Sequence, residues 1–506
     1  GTSLADAAQG VLEPGDETVP VSGALEALRE VHLALGPAVV ELELAVDQVA
    51  ALDGYRLLGA LDDARQELSA RLPEVAASAA EAEDGVGALI AVMGGDGPRR
   101  YLLMSQNPAE VRPTGGFIGT YGVLATEGQR LGLDSFEPIE TWLRAHPDLV
   151  VPPEEAGSPF RFYEAFAEPL NQSLANVNNV ADWPQAAQLA TELWERGGEE
   201  PVDGVFTVTP AFLADVLGVL GPVEVPDYGE TVTANNLIER FDFHTKLVEE
   251  RQQSNVERKA FVAALAEIVV GRLLDAPASQ WRPLAQAVGS SLDAREAMAW
   301  VKDVEVAETL ARQGWDGALP AIAGDFFYDS EFEYASKNGR DLRRTYDHDV
   351  QLNADGSARI TTKVTIRNTG EPGRFNESSL SYLSIYGPQG ALVDEEASDL
   401  TIPEPDIAGH PATGGFRQAP PGGETSATVI WEAPAIARQL EDGGWVYSLT
   451  WMRVPDHSGD VLNLDVRPPE GWVWDGPAPP ERVELEEDFV GAWTLRALLP
   501  ITLSTP

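Results

Sequence analysis

Cysteine is absent from the 506 residues, which excludes disulfides, thiolate metal ligands, iron–sulfur clusters and thiol nucleophiles together. Positive charge is scarce. The 35 Lys and Arg face 81 Asp and Glu, a formal net charge of −46 at pH 7, so the chain lacks the basic composition of a nucleic-acid binder. Five lysines occur, Lys246, Lys259, Lys302, Lys337 and Lys363, and arginine carries nearly all the cationic chemistry. No apolar run reaches the roughly 18 residues of a membrane helix, because Ala260 to Leu274 is broken by Glu267 and Arg272. The chain as given reads as soluble, with membrane attachment only through a segment absent from it. It opens without Met and without a charged-then-apolar leader, which leaves open an export signal or anchor removed ahead of Gly1.

Other signatures are missing too. The six histidines never stand at ligand spacing, and there is no Gly-x-Ser-x-Gly elbow or Gly-x-x-x-x-Gly-Lys loop. With so many acids, a close carboxylate pair says nothing of a glycosidase site. Catalytic residues stay unassigned and no metal ligands are nominated.

What is present divides the chain in three. Residues 1–98 carry apolar residues at helical spacing: Leu25 to Val49 as one run, Leu57 to Leu72 ending at Pro73 as a second, and an Ala- and Glu-rich third up to Gly94-Gly95. They predict a helical bundle or collar. Over 99–340 strands and helices alternate, which predicts an α/β/α layer domain with Val205 to Val208 as its central strand. Thr233 is placed to cap the helix that follows it. From 341 to 506 the period is two, as in Ile360, Thr362, Val364 and Ile366 after the turn Asn353 to Gly356, and again in Trp445, Tyr447, Leu449 and Trp451. This predicts an immunoglobulin-like β-sandwich. Its tryptophans fit a core better than a sugar-stacking face. The fold class is multidomain α+β.

The most specific segment runs from Gln106 to Gly119. Arg112, on a short loop between two buried strands, offers a fork of donors, and Thr114-Gly115-Gly116 offers backbone N–H groups, an arrangement that suits a phosphate. The same arginine can instead pair with Glu110 or another carboxylate and pin the loop. Asn171-Gln172-Ser173 and Asn376-Glu377-Ser378 fit the glycosylation sequon.

The run Tyr101 to Gly122, the Trp183-Pro184 helix start, Val202-Asp203-Gly204-Val205, Leu220-Gly221-Pro222-Val223, Thr233-Ala234-Asn235-Asn236 and Gly314-Trp315-Asp316-Gly317 resemble the bacterial family called domain of unknown function 4012, over about residues 99 to 340. That family is similar, more distantly, to the LytR-CpsA-Psr phosphotransferases, which move glycan polymers from a polyprenyl-pyrophosphate carrier to the cell wall. The resemblance implies an anion site of Arg112, Thr114, Gly115, Arg251 and Arg258. The last two are seven residues apart, so both can point at one ligand. Where those enzymes place a magnesium-holding aspartate this chain has Thr114-Gly115, so a transferase here would have a degraded metal site, with Mg or Ca as the candidate ion.

Two functions follow. One is an exported, extracellular or cell-surface envelope protein that binds or transfers a polyprenyl-phosphate-linked glycan. The other is a non-catalytic surface-layer or filament subunit, a homo-oligomer assembled through its β-sandwich and through acidic faces that calcium can bridge.

Overall fold

The computed structural model describes residues 21–55, 59–127, 130–151, 173–246, 255–334, 336–373, 376, 379–455, 457 and 459–497. It is a mixed α/β chain with a helical N-terminal region, several sheets and a strand-rich C-terminal region.

Two long helices, α1 (Val21–Ala50) and α2 (Ala60–Val92), form an antiparallel hairpin. Its base is sealed by Leu25, Val31, Val86 and Ile90, and Arg29 donates to the Gly95 carbonyl at 2.7 Å. The expected stop at Pro73 does not occur, and α2 runs through it. Pro73 is exposed, so the carbonyl it leaves without a helical donor can be met by water.

A five-stranded sheet follows, from β1 (Arg100–Asn107), β2 (Phe117–Glu127), β3 (Arg130–Pro138), β4 (Gly204–Val208) and, after the short pair β5 (Val223–Val225) and β6 (Glu230–Val232), β7 (Ala297–Val301). The order is β3-β2-β1-β4-β7. The centre is β1, not the strand at Val205 to Val208 expected there; β4 lies between β1 and the edge strand β7, pairing parallel with the first and antiparallel with the second. Helices α3 (Ile139–Ala145) and α4 (Trp183–Arg196) and the 3-10 segment Leu174–Asn179 bury Leu102, Met104 and Val205 on one face. Asp182 caps α4 by accepting from the Gln185 N–H at 3.2 Å. On the other face Tyr101, Leu103 and Val301 pack beneath the end of α2 and Val306 of α9 (Val304–Gln313). Alternate residues of β1 thus serve opposite layers.

Between β4 and β7 stand α5 (Pro210–Leu220), α6 (Leu237–Lys246), α7 (Asn255–Leu274) and α8 (Ala278–Asp293), with a core of their own around Val216, Leu217, Phe261 and Leu265. The expected Thr233 cap is present, its Oγ1 accepting from the Asn236 N–H at 3.3 Å while Asn236 Oδ1 accepts from the Thr233 N–H at 2.8 Å.

The strand-rich region starts earlier than residue 341. β8 (Asp325–Tyr334) already belongs to it, followed by β9 (Leu342–Leu352), β10 (Ala358–Asn368), β11 (Ser379–Tyr386), β12 (Leu392–Val393), β13 (Ile402–Ile407), β14 (His410–Ala419) and β15 (Glu424–Ala433). The last six are β16 (Ala437–Gln439), β17 (Trp445–Met452), β18 (Val461–Arg467), β19 (Trp472–Trp474), β20 (Arg482–Glu484) and β21 (Phe489–Ala497). They form a six-stranded sheet, β12-β15-β10-β9-β18-β20, and an eight-stranded one, β13-β14-β11-β8-β17-β21-β19 with β16 on β17. Their inner faces share one apolar core, including Tyr346, Ile360, Val364, Trp431, Tyr447 and Trp451. The sandwich is larger than the immunoglobulin type expected, and β8–β17 and β9–β18 pair in parallel. Its tryptophans behave as core: Trp431 and Trp451 are buried, and Trp445, Trp472 and Trp474 pack against them.

That core carries an unusual polar ladder. Every odd residue of β8, Asp325, Phe327, Asp329, Glu331 and Glu333, is buried, and β9 answers from the facing sheet. His348 Nε2 contacts Asp325 at 3.0 Å, the Tyr346 hydroxyl donates to Asp329 at 2.8 Å, and Arg344 pairs with Glu331. Asp460 accepts from the Arg344 N–H at 2.9 Å. Burial alone would raise the Glu331 and Asp460 carboxyls; the Arg344 charge at Glu331, and the His457 hydrogen bond with the Arg344 charge at Asp460, outweigh it and hold both below the usual range. Asp329 goes the other way, pushed up by burial despite His457, Arg344 and Tyr346.

Depressed carboxyls stabilise the fold above their unfolded values, near pH 4, and that contribution is lost as pH falls through the folded values; Asp329 opposes it with the reverse sign. Replacing Arg344 with Met strands several buried carboxylates and should lower stability at pH 7 by about 3–5 kcal/mol. The deficit should shrink at pH 3.5, where the carboxyls take up protons. Urea denaturation at the two pH values checks both, and equal deficits would show that the cluster's charges do not set them.

Candidate functional site

The loop from Pro108 to Gly116 leaves the central strand and returns as β2, and its shape is fixed by its own backbone. Asn107 Oδ1 accepts from the Ala109 N–H at 3.2 Å, the Gly115 N–H donates to the Arg112 carbonyl at 3.1 Å, and the Phe117 N–H donates to that of Glu110 at 2.9 Å. Gly115 and Gly116 have φ of +116° and +128°. A Cβ on Gly116 would stand 2.3 Å from the Asn107 carbonyl carbon, and one on Gly115 would stand 3.0 Å from Pro455 of the sandwich. The Thr-Gly-Gly turn is therefore a packing element against another layer. Thr114 is buried, 3.4 Å from the Gln106 amide nitrogen.

Arg112 is buried in the same joint. Its Nε donates to Asn176 Oδ1 at 3.0 Å, and Nη1 donates to the carbonyls of Val111 at 2.8 Å and Glu333 at 3.0 Å. The guanidinium lies over Phe332, 4.3 Å from the ring centroid, and 5.3 Å from that of Phe117. This arginine thus meets carbonyls, an amide oxygen and rings in the joint, and Glu110 pairs with Lys337 at 2.8 Å. Of the other anion-site residues, Arg251 lies outside the described residues. Arg258 lies in the first turns of α7, and its side chain also lies outside them.

Residues far away in the sequence complete the joint. The Tyr328 hydroxyl donates to the Pro113 carbonyl at 2.6 Å, and Asn178 Nδ2 donates to that of Gly116 at 2.7 Å. A second clasp lies lower, where Arg295, at φ +56°, pairs with Asp488 at 2.6 Å and Arg453 pairs with Glu296 at 3.2 Å. None of these partners was legible from local pattern. The nearest signals were the Asn-rich stretch Leu174–Asn179 and the repeated acids of β8.

On the opposite face of β1 a crevice opens between the strand ends and helices α6 and α7, at the carboxyl end of the central strand, where open α/β sheets commonly place ligands. It has about 20 Å³ of room for water-sized molecules, within about 370 Å³ of empty space that includes open solvent. Ser105, Asn107 and Thr120 line its floor, Phe117 and Phe241 supply phenyl rings, and the Glu110–Lys337 pair stands at its edge. Thr120 is 1% exposed and its Oγ1 has no hydrogen-bond partner, a desolvation cost that a ligand or water in the crevice would relieve.

Among the described residues no group of three or more His, Asp or Glu is placed to hold a metal ion, and no helix is long and apolar enough to cross a membrane. Asn376 is buried, its amide donating to Asn368 and to the Glu371 carbonyl, so the folded chain does not offer it for glycosylation. Asn171 lies outside the described residues.

Fold and site together define a chain in which an α/β sheet unit is joined to a large β-sandwich through a buried loop and carries a crevice at its central strand. Residues 96–243 match the family described as Protein of unknown function (DUF4012). No curated protein matches it. Similar solved structures include a candidate nutrient binding protein from Legionella pneumophila, at 11% identity over 34% of this chain and 71% of that one, TM-score 0.21. Protein gbs0355 from Streptococcus agalactiae (11%, 45% and 76%, TM-score 0.26) and Lin1025 from Listeria innocua (10%, 45% and 84%, TM-score 0.24) are others. Likeness at this level carries no argument about function.

Substituting Arg112 by Ala should lower unfolding stability by about 3 kcal/mol, since two carbonyls and an amide lose a charged donor in a buried site. Arg112→Lys should recover part of it, because an ammonium lacks the planar fork. Equilibrium denaturation of both variants checks this; unchanged stability with lost phosphate binding would restore the anion site.

Proposed function

We propose that the chain is an exported cell-envelope protein that binds the sugar portion of a polyprenyl-phosphate-linked glycan in the crevice at the end of β1. The observation that carries this reading is the buried Thr120 hydroxyl, left without a partner inside that crevice. Around it, hydroxyl and amide groups can exchange hydrogen bonds with a polyol, one hydroxyl of which fits the room that the crevice has. Phosphate recognition by Arg112 is not part of the reading, because that guanidinium holds the joint.

The surface-layer or filament reading keeps one favourable feature, an acidic surface that calcium could bridge. Strand addition does not suit it. The sandwich edges are short, with two residues in β12 and three each in β19 and β20, and β13 carries Pro403 and Pro405, which remove N–H donors from the remaining edge.

The test is Thr120→Val. Removing an unpartnered buried hydroxyl while keeping the shape should leave stability unchanged or raise it by about 1 kcal/mol. The same change should weaken binding of soluble envelope-glycan fragments, measured by calorimetry, by about five- to tenfold. A variant that binds as well as the parent removes the crevice from the reading. Calcium-dependent particles in light scattering together with that result would put the assembly reading in its place.

A further inference from the structure

Helix α1 carries a second apolar stripe that the hairpin does not use. At about 100° per residue, Leu33, Val40 and Leu44 fall within about 40° of one another and about 150° from the seam residues Leu35, Val39 and Leu42. They are 74%, 63% and 55% exposed. Their spacing, seven and then four, is that of the apolar positions of a coiled coil. Pro37 lies inside the helix on the same side, and because proline has no N–H the Leu33 carbonyl lacks its usual helical donor. Scattered exposed leucines need no explanation; a heptad-spaced row around an open carbonyl does.

Charge selects the occupant. From Glu30 to Asp53 the chain has five carboxylates, Glu30, Glu41, Glu43, Asp47 and Asp53, and no Lys or Arg. Asp53 pairs with Arg65; the other four make no ion pair among the described residues. A second copy would set these carboxylates against each other, and an anionic membrane surface would be repelled in the same way. We propose that the outer stripe of α1 docks an amphipathic helix of another protein, one whose apolar heptad row is flanked by Lys or Arg. The apolar row sets the register, the flanking cations meet Glu41, Glu43 and Asp47, and a donor from the partner can reach the Leu33 carbonyl.

The experiment uses the full chain and a synthetic helix of about three heptads with Leu at the two apolar positions and Lys at the flanking ones. A second peptide with Glu in place of Lys is the control. Fluorescence anisotropy should give micromolar binding of the Lys peptide, weakening several-fold as salt is raised, and no binding of the Glu peptide. The triple variant Leu33→Gln, Val40→Gln and Leu44→Gln should bind at least tenfold more weakly. Its unfolding transition should match the parent's, because these side chains are exposed and Gln is a good helix former. Glu41→Gln with Glu43→Gln should weaken binding in the same direction. The proposal fails if the triple variant binds the Lys peptide like the parent, since attraction would then be charge alone. It fails equally if the Glu peptide binds as well, or if sedimentation of the parent finds a dimer that the triple variant abolishes, which would make a second copy the occupant.

Discussion

Strand β8 is the constraint on which the rest of the structure depends, because its two faces serve two different bodies. Its odd residues place Asp325, Asp329, Glu331 and Glu333 inside the sandwich, where His348, Tyr346 and Arg344 of β9 each pair with one of the first three. The Asn338 side-chain amide stands against the Glu333 carboxylate. Its even residues look outward: Tyr328 donates to Pro113, Phe332 lies under Arg112, and Phe326 stacks on His410 at 3.7 Å. A strand so fixed on one side holds the loop after β1 rigidly on the other. Buried ion pairs add little net stability by themselves, yet breaking one is costly, and that asymmetry suits a wall whose register must not slip.

The joint divides the functions of the segment between Gln106 and Gly119. Its Arg-Pro-Thr-Gly-Gly portion is turned toward the sandwich, while Ser105, Asn107, Phe117 and Thr120 face the crevice beside α6 and α7. Lys337 links the two, since it belongs to the connection between β8 and β9 and pairs with Glu110 at the crevice edge. The sandwich is thereby part of the wall of the proposed binding site. A glycan bound there would meet a surface with hydroxyl, amide, carboxylate and ammonium groups within one crevice, and the distribution of polar groups rather than net charge would select it.

The helical hairpin stands apart from this arrangement. Its base is sealed against the sheet unit through Val92 and Ala91 and through Arg312 with Asp84 at 2.6 Å. Beyond Leu35 little but the seam is buried. A projecting acidic hairpin with an apolar outer row gives the molecule a contact surface remote from both the joint and the crevice.

Periodicity alone determined the helical N-terminal region, the alternation of strands and helices in the middle and the two-residue period of the C-terminal third. The side chains Ile360, Thr362, Val364 and Ile366 are all buried on one face as that period requires, because such patterns report only which face of a local element avoids water. The family resemblance was legible for the same reason, since it rests on contiguous motifs over about residues 99 to 340, of which the family match covers 96–243. Tertiary structure alone decided the rest. Arg112 could read as an anion ligand or a pin until Asn176 and the Glu333 carbonyl arrived from 64 and 221 residues away. The start of the sandwich moved to Asp325 because β8, rich in carboxylates, finds its cationic and hydroxyl partners only across the facing sheet. An arginine's chemistry is the same in either setting; what it binds is fixed by which groups long-range packing brings to it.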